Sequence, residues 1–467
     1  MMTSRSFRRS KGAIGMAAVA LVGLSACGGG DSDGDATSGG GAGGDAIDCS
    51  VYEEFGDLDG KKVTIYTSII TPEDTPHIES YKPFEECTGV EVTYEGSKEF
   101  EAQLQVRVKG GNAPDLAIIP QPGLLKTLVE TGKVVEAPKQ TAANVDEFFG
   151  EDWKAYGTVD GKFYAAPLGA NVKSFVWYSP AMFEEKGYEV PQTWSEMMDL
   201  SKKIAEDTKG EEGVKPWCAG IGSGDATGWP ATDWMEDIIL RTAGPDVYDQ
   251  WVNHEIPFND PQVVEALGEM GKILKDPAMI NGGLGDVKTI ATTEFQAGGL
   301  PILDGMCYMH RQASFYAANW VEAGAEVGED ADVWAFYLPA MEADGEKPVL
   351  GGGEFIAAFD DRPEVQAFQT YLSSDVWANE KAKNTEGGWV SANSGLDVAN
   401  LKSPLDKLAA ETLQDEQSVF RFDGSDQMPG AVGAGTFWKE MTNWIATDKD
   451  DKAVLDAIEK SWPASSK

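Results

Sequence analysis

Histidine, cysteine and positive charge are scarce in this sequence of 467 residues. The three histidines, His77, His254 and His310, show no metal-ligand spacing, so we expect no metal ion and no cofactor. Lys and Arg number 38 against 77 Asp and Glu, a formal net charge of −39 at pH 7. Such a charge repels phosphate backbones, so we expect no nucleic acid partner. A solvated acidic surface is the simplest interpretation, ahead of an acidic site for cationic ligands.

Long apolar runs are also rare, and the one that occurs lies at the N-terminus. Residues 13–24 are apolar and follow a basic segment; a run of about a dozen suits a secretory signal, because a membrane span needs roughly 20. Leu24-Ser25-Ala26-Cys27 resembles a bacterial lipobox, which predicts a signal peptide over 1–26 and lipidation of Cys27. An ordinary signal peptide with an unrelated cysteine is the alternative.

The segment 27–48 is rich in glycine, serine and aspartate, which predicts a flexible tether. A chain that starts at Cys27 carries 34 basic and 77 acidic residues, and 34 minus 77 is −43. Its length of about 420 residues suggests two domains. Four cysteines follow Cys27, and an even number outside the cell indicates two disulfides with three alternative pairings. They are Cys49, Cys87, Cys218 and Cys307.

Short apolar segments alternate with helical ones in the first part of the body. We predict strands at 62–66, 90–94 and 115–119, with helical segments ending near 86 and covering 99–109 between them. This alternation predicts an α/β fold with a mostly parallel sheet. Ligands of such sheets bind beyond the carboxyl ends of the strands, so the loops after Tyr66, Tyr94 and Ile119 are the first candidate site.

A second region begins where 161–171 leads into the apolar segment 174–179, which we interpret as a strand passing from one domain to the next. Thr193 and Glu196 form a capping-box pattern that predicts a helix from there to about 209. Trp194 is expected to pack at the start of that helix.

Six stretches in a fixed order resemble the carbohydrate solute-binding proteins of ABC importers, in the maltose- and α-glucoside-binding branch. They begin at Gly89 (GVEVTYEGSKEF), Gly161 (GKFYAAPLGANVKSFVWYSP), Gly220 (GIGSGDATGWPATDW), Glu294 (EFQAGGLPILDGMCYMHRQASF), Leu350 (LGGGEFIAAFDD) and Asp426 (DQMPGAVGAGTFW). The resemblance implies a lipid-anchored extracellular receptor, a monomer, that captures a sugar and delivers it to a permease. It also implies that the protein is not an enzyme.

The fold implied by the resemblance is the two-lobe periplasmic-binding-protein fold, with a hinge of crossing strands. The N-terminal lobe would hold 50–169 and 336–372, and the C-terminal lobe 170–335 and 373–467. Pairing Cys49 with Cys87 and Cys218 with Cys307 then keeps each disulfide inside one lobe, whereas a bond between lobes would block hinge motion.

A sugar site needs aromatic rings for the apolar face of a pyranose and planar polar groups for its hydroxyls. The resemblance assigns the stacking role to Trp438, with core packing as the alternative. Trp389, on a glycine-rich loop, is a second candidate. Trp229 precedes a proline and is expected to pack beneath its loop.

The polar candidates follow strand ends or glycine-rich segments. Glu354 comes after three glycines that we interpret as a flexible loop. The resemblance places Asn171, where a relative has an acid, and Arg311 with Gln312 at the cleft. The remaining candidates are Lys98, Glu99 and Gln121 at strand ends, and Ser223 and Asp225 in the Gly220–Gly228 loop.

Two other functions stay open. A tethered glycosidase would need two carboxylates about 5–10 Å apart, and acidic residues are too numerous for the sequence to exclude such a pair. The second open function is a receptor of the same fold that binds a peptide or a polyamine. The sequence contains neither a P-loop nor a Gly-x-Ser-x-Gly nucleophile motif.

Overall fold

The computed structural model describes residues 47–343, 346–415 and 417–463, which form two α/β lobes. The predicted signal peptide, Cys27 and the tether up to residue 46 lie outside the described residues. Among the residues described, no helix has the length and apolar character needed to cross a membrane. The strands are β1 (Lys62–Thr67), β2 (Glu91–Gly96), β3 (Leu116–Ile119), β4 (Thr158–Val159), β5 (Lys162–Phe163), β6 (Ala165–Val172), β7 (Phe175–Tyr178), β8 (Lys215–Trp217), β9 (Cys307–Arg311), β10 (Trp334–Tyr337), β11 (Lys347–Ala358) and β12 (Ser418–Phe422).

The helices cover the faces of the sheets and connect their strands. They are α1 (Asp74–Thr88), α2 (Phe100–Gly110), α3 (Pro122–Val129), α4 (Lys139–Phe148), α5 (Glu151–Tyr156), α6 (Pro180–Lys186), α7 (Trp194–Asp207), α8 (Trp229–Thr242), α9 (Pro245–Val252), α10 (Pro261–Leu274), α11 (Phe295–Gly298), α12 (Ala317–Glu322), α13 (Pro363–Leu372), α14 (Asp375–Asn384), α15 (Pro404–Gln414), α16 (Gly424–Gln427), α17 (Trp438–Ala446) and α18 (Asp451–Glu459).

The first sheet has six strands in the order β12-β11-β3-β1-β2, with β6 also paired to β11. Strands β2 and β3 both run parallel to β1, as the alternation of strands and helices predicts. Strand β11 runs antiparallel to β3 and β6. The carboxyl ends of β1, β2 and β3 therefore lie together at one edge, and the loops that follow them face the second lobe.

The second sheet has the order β10-β7-β9-β8. Helix α7 begins with the predicted capping box of Thr193 and Glu196, and Trp194 is buried at its start. The predicted disulfide pairing is confirmed, because Cys49 joins Cys87 in the first lobe and Cys218 joins Cys307 in the second.

The chain passes between the sheets at three places within the described residues: after β6, after β10 and after β12. The sequence predicts lobe boundaries near residues 170, 336 and 373; the segment that follows residue 373 packs on the first lobe. Helix α14 packs on α1, with the Trp377 indole Nε1 donating to Ser80 Oγ at 3.0 Å. Strand β12 then pairs with β11, so the chain stays with the first sheet until Phe422.

One face of α8 holds the first and third crossings. Asp233 Oδ1 accepts from Lys173 Nζ at 3.0 Å, and Asp237 Oδ1 accepts from Ser174 Oγ at 2.5 Å. Lys173, which lies between β6 and β7, also donates to Asp423 Oδ2 at 2.5 Å, directly after β12. Although burial opposes it, the two carboxylates hold the pKa of the Lys173 ammonium well above its ordinary value.

The next turn of the same face holds the second crossing. Arg241 donates through Nη2 to the carbonyls of Leu338, at 2.6 Å, and Pro348, at 3.2 Å. Its Nη1 donates to Asp237 Oδ1 at 2.7 Å, and Asp237 Oδ2 accepts from Arg311 Nε at 3.1 Å. We call Lys173, Asp233, Asp237, Arg241, Arg311 and Asp423 the hinge network.

Candidate functional site

A cavity of about 150 Å³ lies between the two lobes, where the predicted strand ends meet the second lobe. The loops after β1, β2 and β3 contribute to its wall, as do the start of α8 and the middle of β11. Of the predicted binding residues, six line the cavity: Lys98, Gln121, Asn171, Ser223, Glu354 and Trp438. The structure thus brings together residues that are up to 340 positions apart in the chain, Lys98 and Trp438 being the extremes.

Glu354 reaches the cavity from a bulge in strand β11 rather than from a flexible loop. Gly351, Gly352 and Gly353 pair with β6, and the register shifts between Gly353 and Phe355. A side chain on Gly353 would collide with the Gly169 carbonyl, since its Cβ would stand 2.6 Å from that oxygen. The glycines therefore permit close strand packing, and the bulge turns the Glu354 side chain toward the cleft.

Four carboxyl groups line the cavity, and all have raised pKa values. Burial, reinforced by the charge of Glu354, raises the pKa of Glu73 to about 8. Burial raises the pKa of Glu101 to about 7 and also raises that of Glu354. Burial, followed by the nearby Asp423 charge, raises the pKa of Asp426. A raised pKa favours the protonated carboxyl, which can both donate and accept hydrogen bonds.

Several buried oxygen atoms of the cavity residues have no hydrogen-bond partner within the described part of the chain. Buried polar groups in native proteins are normally paired, and an unpaired one costs about 1–3 kcal/mol. A solute rich in hydroxyl donors would supply the missing partners. The atoms are Glu101 Oε2, Gln121 Oε1, Asn171 Oδ1, Gln296 Oε1 and Glu354 Oε2.

Aromatic side chains form the apolar part of the wall. Trp229 contacts Phe295 edge to face, with ring centroids 5.0 Å apart, and lies 5.9 Å from the ring of Phe315. Trp438 also lines the cavity but is only 2% exposed, and its Nε1 donates to Ser425 Oγ at 3.2 Å. Trp229 is therefore the more accessible of the two rings: it packs against the core as expected, and it also lines the cavity.

The rim of the cavity carries direct bonds between the lobes. Lys98 Nζ lies 2.5 Å from Glu294 Oε2, and Asp225 Oδ2 accepts from the Ala102 amide at 3.1 Å in the first turn of α2. Glu99 does not line the cavity; its carboxyl contacts that of Asp225, which raises the pKa of Glu99. We call Lys98, Glu99, Asp225 and Glu294 the rim clasp.

Two glycines of the Gly220–Gly228 loop allow close packing against neighbouring backbone, Gly224 against the first lobe and Gly220 within the second lobe. Gly224 has φ +57°, and a Cβ there would stand 2.6 Å from the Lys98 carbonyl oxygen. A Cβ on Gly220 would stand 2.7 Å from the Thr293 carbonyl oxygen. The loop therefore fits tightly against the neighbouring backbone on both sides.

Arg311 and Gln312, which were expected to meet the ligand, do not line this cavity. Arg311 is 2% exposed, and its guanidinium is engaged by Asp237 and Asp233 beneath α8. The Gln312 side chain folds back to accept from the Ala313 amide at 2.9 Å. Trp389 lines an adjoining cavity instead of this one.

Several residues of the cavity wall were not predicted, among them Glu73, Glu101, Lys173 and Phe295. Glu73 lies in the loop after β1, so a closer reading of that loop could have found it. Glu101 lies one position into α2, and helical sequence gave no signal that its side chain is buried. The places of Lys173 and Phe295 in the cavity wall depend on the hinge geometry and on the position of the second lobe, which the sequence does not indicate.

Comparison with known proteins gives the same picture for the chain as a whole. A family model described as bacterial extracellular solute-binding protein matches residues 66–378. The chain is 42% identical over 410 residues to the osmoprotective compounds-binding protein GgtB of Synechocystis sp., covering 87% of this chain and 94% of that protein. It is 38% identical over 426 residues to the alpha-glucosides-binding periplasmic protein AglE of Rhizobium meliloti, covering 88% and 89%.

Solved structures share the fold at lower identity. The bacterial solute receptor AcbH, described as preferring β-D-galactopyranose, superposes with a TM-score of 0.71 at 18% identity, covering 86% of this chain and 98% of that one. The binding protein RafE in complex with raffinose gives a TM-score of 0.66 at 18% identity, covering 86% and 98%. At these identities the similarity supports the two-lobe fold alone.

Proposed function

Because the chain belongs to the bacterial extracellular solute-binding protein family, we propose that it captures an α-glucoside between its two lobes and delivers it to the permease of an ABC importer. The similarity to AglE, whose name specifies alpha-glucosides, supports this ligand class. The ligand would touch both lobes only in the closed form and so shift the chain toward closure. The permease would then recognise closure rather than the sugar.

The observation that carries the proposal is the set of unpaired oxygen acceptors beside aromatic rings. A pyranose offers a hydroxyl donor at nearly every carbon and an apolar face for a ring such as Trp229. The five acceptor atoms of the cavity lack donors among the described residues. A neutral polyol satisfies both needs at once.

We further propose that Cys27 carries the lipid that holds the receptor at the outer face of the membrane. The lipobox pattern and the tether that follows it support this location. Replacement of Cys27 by serine should release the protein or leave its signal uncleaved. A variant that is still cleaved and membrane-bound would contradict the anchor.

A cationic solute such as a polyamine is the second candidate, because four carboxyl groups line the cavity. The raised pKa of Glu73, to about 8, weakens this alternative. A carboxyl that keeps its proton near neutral pH attracts a cation less than an ionised one does. Family members are binding proteins rather than enzymes, so a glycosidase is not a separate proposal.

Thermal-shift screening of the full chain tests the proposal. Maltose, trehalose and sucrose represent α-glucosides, and lactose and spermidine serve as contrasts. A ligand at 100 times its dissociation constant adds about 2.7 kcal/mol of apparent stability. We expect at least one α-glucoside to raise the melting temperature and to be recovered unchanged. A shift with spermidine alone, or hydrolysis of the sugar, would contradict the proposal.

A further inference from the structure

Helix α2 of the first lobe begins at the rim of the cavity, and its first turn is capped by a residue of the second lobe. The carboxylate of Asp225 accepts a hydrogen bond from the Ala102 amide through Oδ2 at 3.1 Å. Glu99, which occupies the N-cap position of α2, makes no capping hydrogen bond with its own side chain within the described part of the chain. The cap of this helix therefore comes from the other lobe, and we call the Asp225–Ala102 hydrogen bond the interlobe cap.

Two helices of the second lobe show the usual arrangement, in which the residue before the helix provides the cap. Asp260 accepts from the Gln262 amide at 3.0 Å at the start of α10, and Thr193 accepts from the Glu196 amide at 3.2 Å at the start of α7. These caps persist whatever the separation of the lobes. The interlobe cap forms only while the lobes are in contact, so it favours the closed arrangement.

Asp225 lies in a turn whose shape is fixed within the second lobe. The Ala226 amide donates to the Ser223 carbonyl at 3.0 Å, and the Thr227 hydroxyl accepts from the Ser223 amide at 2.9 Å. The turn therefore holds the Asp225 backbone in place before the lobes meet. A preorganised group loses little conformational entropy when it forms a contact, so more of the energy of the cap is available for closure.

The residues of the interlobe cap lie beside the cavity wall. Ser223 and Ala226, on either side of Asp225 in the turn, line the cavity, and so does Glu101, which precedes Ala102. The cap residues themselves are outside the wall formed by the described residues. The movement that brings both sides of the wall onto a solute therefore also forms the cap, although the cap does not touch the solute.

Glu99 opposes the interlobe cap by its charge. Its carboxyl forms a hydrogen bond with that of Asp225, and this contact, followed by the Asp225 charge, raises the pKa of Glu99. Both residues are exposed, and when both carboxyls are ionised they repel each other across the lobes. Lys98 and Glu294, the other members of the rim clasp, pair with each other. The rim clasp thus contains one contact that favours closure, the cap, next to one charge that limits it.

We propose that Asp225 controls lobe closure: it caps α2 only when the lobes meet, and it thereby raises the affinity for every ligand of the cavity without contacting any of them. The inference rests on the proposed function, because closure is the step that retains the sugar. A residue that acts through closure changes all affinities by one factor. A residue that contacts the sugar changes the affinities of different sugars unequally.

Calorimetric titration of the full chain and its Asp225→Ala variant with maltose, trehalose and sucrose tests the interlobe cap. Asparagine caps helices about as well as aspartate does, so Asp225→Asn keeps the cap and removes the charge next to Glu99. Asp260→Ala is the matched control, because it removes a side-chain cap of the same kind that lies within one lobe.

Asp225→Ala should weaken each sugar that the wild type binds by about fivefold, the factor expected for the loss of one helix cap, and the factor should be the same for all of them. Asp225→Asn should bind within about threefold of the wild type. Asp260→Ala should bind within about twofold, because its helix does not meet the first lobe through that cap. Glu99→Gln should bind each sugar at least as tightly as the wild type, because it removes the repulsion.

Several results would overturn the inference while leaving the proposed function intact. Asp225→Ala could bind as the wild type does, or Asp225→Asn could lose as much affinity as Asp225→Ala. Clearly different factors for different sugars would show that Asp225 contacts the sugar, and an equal loss in Asp260→Ala would trace the effect to general destabilisation. Absence of binding by every sugar would instead refute the proposed function, and this inference with it.

Discussion

The hinge network and the cavity between the lobes share Lys173, and both contain buried ionisable groups. In the hinge network, Lys173 contacts two carboxylates, and Arg241 donates to carbonyls of the second crossing as well as to Asp237. In the cavity between the lobes, Glu101 and Glu354 each keep an oxygen without a partner among the described residues.

The paired groups of the hinge network stabilise the fold, whereas the unpaired groups of the cavity are available to bind a solute. A buried charge that loses its partner is strongly destabilising, so a fully paired network holds the three crossings in one arrangement. Unpaired buried groups lower stability, and proteins keep them mainly where function requires them. Breaking the two regions in turn should therefore give different outcomes.

Arg241→Met should give the largest effect. It removes every bond from α8 to the second crossing and takes one cation from Asp237, so we expect the free energy of unfolding to fall by about 3–5 kcal/mol. Urea denaturation of the unliganded chain measures this. Lys202→Met, which breaks an exposed ion pair with Asp199, should change stability by less than about 1 kcal/mol. Equal effects would remove the distinction between the hinge network and surface pairs.

Trp229→Ala should act on binding. Loss of the ring removes stacking and buried area worth about 2 kcal/mol, or roughly thirtyfold in affinity for the identified sugar. Trp462→Ala, a half-buried tryptophan outside the cleft, serves as the control in the same titration. Trp438→Ala is a poorer test than the sequence suggests, because that ring is nearly fully buried and its loss should also destabilise the chain. Normal affinity in Trp229→Ala would exclude this ring as the platform.

The raised pKa of Glu73 predicts a dependence of stability on pH. The folded chain holds this proton up to about pH 8, whereas an unfolded glutamate releases it near 4.5. The contribution of Glu73 to the unfolding free energy is thus complete below pH 4.5. It is lost as the pH rises toward 8, by at most about 1.4 kcal/mol per pH unit. Glu73→Gln should flatten the curve of unfolding free energy against pH between 5 and 8. If the unfolding free energy of variant and wild type changed equally with pH, the pKa of Glu73 would not be raised in the folded chain.

Glu294→Gln should have the smallest effect, because the Lys98–Glu294 pair of the rim clasp is largely exposed. Exposed pairs contribute about 0.2–1 kcal/mol, so affinity should fall by no more than about fivefold. The loss should shrink further at high salt. A loss of affinity larger than that of Trp229→Ala would mean that the rim clasp contributes more to binding than the wall of the cavity between the lobes.

The sequence predicted the parts of this comparison that depend on local pattern. Alternating apolar segments located β1, β2 and β3, and Lys98 and Gln121, which follow the ends of two of these strands, line the cavity. The sequence could not indicate that Arg311 is buried, because its partner, Asp237, is 74 positions away on a helix that the local pattern does not relate to it. Glu354 was found for the wrong reason: a bulge in a paired strand cannot be distinguished from a glycine loop without knowing the register with β6.

Our central claim is that the unpaired polar groups of the cavity between the lobes bind a solute and do not stabilise the fold. The most direct test measures ligand affinity and unfolding free energy on one preparation of Glu354→Gln. We predict that affinity for the identified α-glucoside falls by about 1–2 kcal/mol, the size of a hydrogen bond to a charged group, because the amide keeps one acceptor oxygen and removes the other. The unfolding free energy of the unliganded variant should equal or exceed that of the wild type. Unchanged affinity together with a clear loss of stability would contradict the account.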